Sequence, residues 1–259
     1  MSLNNRDNPH RSLVDNAQPI CIGHRGAMGH ATENSLASIR AALELGVRYI
    51  EVDVYQVEGE LVLFHDHRVE RLTHGSGRLV DYSLTGLRQL RLPNDEPIPT
   101  LAAACQLIDR QACLNIELKG PDTAAPVCQL VEQLIEQGWS RDAFLISSFD
   151  HRQLAWVRNH HPQTLIGMLI YGLPLDDAAS AEQLGAMSIH PSTEFIDQQL
   201  VDNAHQSGLR VFAYTANHSD EITRLSQLGV DGIFTNFPEL IVPATTPSAT
   251  RLSWTKSDR

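Results

Sequence analysis

Along the chain, short apolar runs alternate with longer stretches in which apolar residues recur every three to four positions. The runs PICIG (19–23), YIEVDVYQ (49–56), CLNIELK (113–119), AFLISSF (143–149), TLIGMLI (164–170), AMSIH (186–190), LRVFAYT (209–215) and GIFT (232–235) predict strands. Helical spacing predicts helices between them. The first opens at Glu33-Asn34-Ser35, carries Leu36, Ile39, Ala42 and Leu43 on one side, and stops at Gly46. Further helices are expected over 100–110, 123–137, 151–160, 176–184, 196–207 and 219–228, with a short one opening at Pro238. Eight strands alternating with helices predict a closed parallel (β/α)8 TIM barrel of the α/β class. An open doubly wound sheet is the alternative, but no GxGxxG follows the first strand.

Residues 67–99 break this rhythm. They carry turn residues and short apolar pieces, with a short helix expected near 84–90, and predict a small inserted excursion after the second strand. The expected organisation is a flexible leader (1–18), a catalytic barrel (19–243) and a flexible tail (244–259).

Within YIEVDVY, alternation puts Ile50, Val52 and Val54 on one face and Glu51 and Asp53 on the other. In NIELK, Asn115, Glu117 and Lys119 share a face. Barrels of this kind carry their chemistry at the C-terminal strand ends, and polar residues gather there. His24-Arg25, Glu51, Asp53, Glu117, Lys119, Ser147-Ser148, His190, Tyr214 to Asn217 and Thr235-Asn236 all do so. Three carboxylates on neighbouring strands repel one another unless a cation or proton intervenes. An all-oxygen set points to Mg²⁺ or Ca²⁺, with Mn²⁺ also admissible; ion pairing with barrel arginines or lysines is the competing role. His24 and His65 flank the carboxylates as a possible proton-donor and acceptor pair. Arg25 and Lys119 offer positive charge suited to phosphate oxygens. Together these groups describe a site for a phosphoester.

The chain's 259 residues carry a net charge of −11, which argues against nucleic-acid partners and leaves any anionic substrate to be met by local charge. Cys21, Cys105, Cys113 and Cys128 form no CxxC pair and are expected to be reduced core residues. The polar N-terminus shows no secretory pattern and no run suits a membrane span, so a cytoplasmic enzyme without stable membrane insertion is expected. Nothing in the sequence specifies an oligomeric state.

GHRG (23–26), EN (33–34), EVD (51–53), HD (65–66), ELK (117–119) and YTAN (214–217), in this order, resemble the glycerophosphodiester phosphodiesterase family. GVDGIFTNFPE (229–239) resembles that family's closing strand and loop, and the excursion its inserted subdomain. The resemblance implies a metal-dependent barrel hydrolysing glycerophosphodiesters, such as glycerophosphocholine or glycerophosphoethanolamine, to glycerol 3-phosphate and an alcohol. Carried over by position, His24 and His65 are the acid/base pair and Glu51, Asp53 and Glu117 the metal ligands. Arg25 and Lys119 become phosphate contacts, Glu33 and Asn34 shape the first loop, and Tyr214 and Asn217 line the substrate site. Attack by water and attack by the substrate's own glycerol hydroxyl both remain open. Ser35 and Tyr214 depart from the family's usual Thr and Trp, and 88–99 lacks the aromatic residue that packs on glycerol in many relatives. A related phosphodiesterase acting on lysophospholipids or on cyclic or inositol phosphodiesters is the alternative, as is a barrel that binds phosphorylated ligands without turnover.

Overall fold

The structure is a computed structural model and describes residues 18–242 and 252–255. Among the described residues, nine strands follow in chain order: β1 (Ile20–Gly23), β2 (Tyr49–Val57), β3 (Glu60–Leu63), β4 (Cys113–Leu118), β5 (Phe144–Ser148), β6 (Leu165–Ile170), β7 (Ser188–Pro191), β8 (Arg210–Ala213) and β9 (Gly232–Thr235). All but β3 are parallel and close into a barrel, because β1 pairs with both β2 and β9. The expected (β/α)8 barrel is therefore the fold. β3 stands apart from these eight. It turns back at Glu58-Gly59 and pairs antiparallel with β2 outside the ring. The excursion thus leaves the barrel at residue 60, earlier than the break in periodicity at 67 suggests.

Strand register decides what faces inward. In-register neighbours share a face, and successive residues alternate. Glu51 pairs with Asn115, Asp53 with Glu117, Glu117 with Ser147, Ser147 with Gly167, and Gly167 with Ser188. On the far side, Ile22 pairs with both Tyr49 and Phe234. Every second residue of each strand therefore belongs to one interior face, and both carboxylates of β2 lie on it. Gly167 has no side chain because His190 occupies that space: a Cβ there would lie 2.5 Å from His190 Nε2.

Helices alternate with the strands and are capped by their own sequence. Ser35 accepts from Ser38 N before helix Leu36–Glu44, Thr100 from Ala103 N before Leu101–Ile108, and Asp197 from Leu200 N before Gln198–Gln206. The large apolar core lies in and around the barrel. The excursion has a smaller core of its own, in which Val62, Phe64, Val69, Leu79 and Leu87 pack on Tyr55 and Val57 of β2. Its helix spans Leu84–Leu87.

Residues 1–17 and most of 244–259 lie outside the described residues. At 252–255 the expectation of a free tail is corrected. Trp254 is fully buried, stacks obliquely on Tyr49 at 4.8 Å and near Phe212 at 5.7 Å, and donates to the carbonyl of Ala143 at 3.2 Å. Tyr49 opens β2 and Ala143 precedes β5, so Trp254 sits at the N-terminal end of the barrel, away from the carboxylates. All four cysteines are free and buried, and burial pushes the thiols of Cys21, Cys105, Cys113 and Cys128 up to about 12. Among the described residues, no helix is long and apolar enough to cross a membrane.

Candidate active site

The loop after β1 is bent tightly onto the barrel mouth. Gly26 has φ +86, and a Cβ there would meet Ser38 Oγ at 2.3 Å, so only glycine fits. Arg25 and Asn34 also take left-handed backbone conformations, φ 52 and 53. For Arg this carries strain of about 1–2 kcal/mol, held by what the conformation brings within reach. Arg25 N donates to Glu51 Oε2 (2.9 Å), its Nη1 to Glu33 Oε1 (2.6 Å), and its Nε lies 3.1 Å from Asp53 Oδ2. Asn34 clamps Asp53 at two points. Its Nδ2 donates to Asp53 Oδ2 (2.8 Å) and its Oδ1 accepts from Asp53 N (3.1 Å).

Glu51, Asp53 and Glu117 are all buried, and each offers a carboxylate oxygen within 4.8 Å of the others. Burial first, then the charges of Asp53 and Glu117, raise Glu51 well above the usual carboxylate range. Burial and Asp53 push Glu117 up to about 7. Lys119 Nζ offsets part of this charge from 3.0 Å to Glu117 Oε1 and 3.9 Å to Asp53 Oδ1. Glu51 Oε1 is buried and accepts no hydrogen bond from any described residue. An orphaned carboxylate oxygen beside two further carboxylates is what a hard divalent cation requires. The competing role, pairing with arginine and lysine, is also present for Asp53 and Glu117, yet it leaves that oxygen of Glu51 unserved.

The two histidines are held by their Nδ1 atoms. His24 Nδ1 pairs with Asn236 Oδ1 at 2.7 Å, and His65 Nδ1 with Asp66 Oδ1 at 2.7 Å. Both partners are acceptors, so Nδ1 carries the proton and Nε2 is left to the mouth. Burial, followed by the charge of Arg25, lowers His24 to about 4, although the Asn236 bond works the other way. Burial also lowers His65, against the charge of Asp53 and the bond to Asp66.

Sequence reasoning missed Arg71, and placed Asn236 at a strand end without giving it a role. Arg71 comes from the excursion and grips Glu33 with Nη1 and Nη2, both at 2.7 Å. It reaches Asp66 with Nε at 2.5 Å and Nη2 at 3.1 Å. Although burial opposes it, the Arg71 and His65 bonds hold Asp66 down at about 2. Glu33 is likewise kept below its usual range against burial, by Arg71 and Arg25. No periodicity marks Arg71.

The remaining sequence candidates are placed differently. Tyr214 donates its hydroxyl to the carbonyl of Ile170 (2.8 Å) and packs edge-to-face on Phe149. Asn217 Oδ1 accepts from Asn236 N (2.8 Å), so it braces the loop that holds His24. His190 is fully buried against Ser188 Oγ (2.8 Å) and lowered by burial to about 3. His30 pairs at the surface with Glu239.

The profile of the Glycerophosphoryl diester phosphodiesterase family matches residues 24–240. A glycerophosphodiester phosphodiesterase of Caldanaerobacter subterraneus subsp. tengcongensis is 32% identical over 86% of this chain and 96% of its own. One from Bacillus altitudinis is 28% identical over 85% and 96%. Among solved structures, an Oleispira antarctica phosphodiesterase in complex with the product sn-glycerol-3-phosphate superposes with a TM-score of 0.79 at 30% identity, covering 86% of this chain and 95% of that one.

Proposed function

The chain belongs to the glycerophosphoryl diester phosphodiesterase family and is an enzyme of phosphodiester hydrolysis, and from that premise we propose that it cleaves small glycerophosphodiesters to glycerol 3-phosphate and an alcohol at the Glu51, Asp53 and Glu117 cluster. Glycerophosphocholine and glycerophosphoethanolamine are the substrates proposed. The observation that carries this reading is the buried, orphaned Glu51 Oε1 within a triad of carboxylates flanked by two histidines. It agrees with the glycerol 3-phosphate complex of the Oleispira protein.

Glu51, Asp53 and Glu117 would hold a divalent cation, Mg²⁺ or Ca²⁺ by donor type, with Mn²⁺ also suited. When bound, such an ion relieves the carboxylate repulsion and stabilises negative charge on the phosphoryl oxygens. The chain's own residues supply the rest. Arg25 and Lys119 screen the phosphate charge from opposite sides of the carboxylates. His24, neutral with its proton fixed on Nδ1, accepts the proton of the attacking hydroxyl at Nε2. His65, backed by the Asp66 carboxylate that favours its imidazolium, returns a proton to the departing alcohol oxygen as the P–O bond breaks. The attacking hydroxyl belongs to water, which gives glycerol 3-phosphate directly, or to the substrate's glycerol, which gives a cyclic phosphate that water then opens with the two histidines exchanging roles.

Purified protein is expected to release glycerol 3-phosphate only with added divalent metal, and EDTA should abolish release. Glu51→Gln should lose metal binding by calorimetry as well as turnover. His24→Ala and His65→Ala should bind metal normally and lose at least about 100-fold in kcat. Undiminished turnover in the EDTA-treated Glu51→Gln protein would overturn the assignment.

A further inference from the structure

The barrel mouth is lopsided. The loops after β1, β3 and β4 carry Arg25, His65, Asp66 and Lys119, whereas those after β5, β6 and β7 expose large hydrocarbon side chains beside Asp150, Asp176 and Glu194. After β6 the chain runs Tyr171-Gly172-Leu173-Pro174-Leu175, with the large apolar side chains at alternate positions exposed to 65%, 45% and 108%. Phe149, after β5, and Phe195, after β7, are exposed as well. These residues are ordered into a wall. Tyr171 packs edge-to-face on Phe195 at 5.1 Å, and Phe149 on Tyr214 at 5.8 Å. Exposed apolar surface gathered in this way marks a binding surface rather than scattered residues.

A cavity of about 390 Å³ runs along this wall, lined by Phe149, Leu169, Ile170, Tyr171, Leu173 and Pro174 among others. Its polar groups are already engaged. The Ile170 carbonyl accepts from Tyr214, the Leu169 carbonyl pairs with His151 Nε2 at 2.8 Å, and the Tyr171 hydroxyl donates to Glu194 Oε2 at 3.0 Å. A triol entering here would trade water for surfaces that offer it little, whereas a methylene chain would gain.

Lys119 joins the cavity to the carboxylate cluster. Its Nζ lies 3.0 Å from Glu117 Oε1 and 5.8 Å from the centre of the Phe149 ring. A phosphate held at Lys119 therefore extends one ester arm past Phe149 and along the wall. We propose that the wall of Phe149, Tyr171, Leu173 and Phe195 is a substrate subsite for hydrocarbon, so that diesters bearing an alkyl chain on one arm are preferred over those with a short polar alcohol. This rests on the phosphodiesterase reading above and adds to it the chemistry of one arm.

The test compares glycerophosphoethanolamine with the glycerol phosphodiesters of butanol, hexanol and octanol, all below their micellar concentrations, using the metal-loaded full chain. The expected result is a kcat/KM that rises about two- to fourfold per added methylene until the cavity is filled. The doubly substituted Tyr171→Ala, Leu173→Ala protein should lose about tenfold in the octyl-to-ethanolamine ratio, a quantity that partial misfolding does not move. An octyl diester no better than the ethanolamine diester, or a ratio unchanged in the variant, would overturn the proposal. So would co-sedimentation with phosphatidylcholine vesicles that the double variant loses while the ratio stays put, because the wall would then be a membrane dock. Failure to turn over any diester would instead sink the hydrolase reading. Calorimetric binding of octyl phosphate against ethyl phosphate then decides the subsite by itself: tighter octyl binding that the variant loses supports it, and equal binding overturns it.

Discussion

His24 owes its usable lone pair to Asn236, 212 positions further along the chain. That bond fixes the imidazole tautomer and also raises the His24 pKa against burial. Asn236→Ala is expected to lower kcat about 10- to 100-fold, with KM little changed. Its acid limb, set by His24 near pH 4 in the parent protein, should move to lower pH, as pH–rate profiles of the two proteins would show. Arg71 plays the matching part for His65 by gripping Asp66 and Glu33 together. Neither role could be read beforehand. A strand's alternation reports which face a residue occupies, and so revealed Glu51, Asp53 and Glu117. Which distant side chain meets which depends on loops whose paths no period records. The same holds for Tyr214 and Asn217: their motif was visible, but not that one hydroxyl goes to Ile170 and one amide to Asn236.

Among the elements, the eight barrel strands were legible because each is an apolar run closed by polar or turn residues, and the helices because their apolar faces repeat. The hairpin strand β3 falls outside the eight-strand rhythm, and its antiparallel pairing outside the ring follows from the tight turn at Glu58-Gly59, where φ is 46 and 86. Trp254 escaped notice since one aromatic residue in a polar stretch has no pattern. Its burial against Tyr49 and Phe212 makes it the plug of the barrel's N-terminal end. Trp254→Ala should cost about 3–5 kcal/mol of stability, measured by denaturant unfolding. Turnover per folded molecule should stay near the parent value, because the carboxylates lie at the opposite strand ends.

For the whole molecule, the acid cluster ties stability to pH and to metal. The Glu51 and Glu117 carboxyls are raised in the folded protein above their unfolded values, Glu117 to about 7. Groups raised in this way leave stability intact below the unfolded carboxylate range and remove it as pH rises through the folded pKa. The contribution of these two carboxyls to metal-free stability should therefore fall as pH rises from about 4.5 to 7, while the buried His24 and His190, lowered to about 4 and about 3, contribute the opposite trend. Added Mg²⁺ or Ca²⁺ should raise Tm more at pH 7 than at pH 5, as thermal melts with and without EDTA would test; a metal-induced rise no larger at pH 7 than at pH 5 would contradict it. The excursion carries another consequence at this scale. It has its own small core and reaches the first loop through one guanidinium, while the barrel closes without it. Evolution can thus treat its tip as a cassette, free to diverge provided His65, Asp66 and Arg71 stay in place near its base.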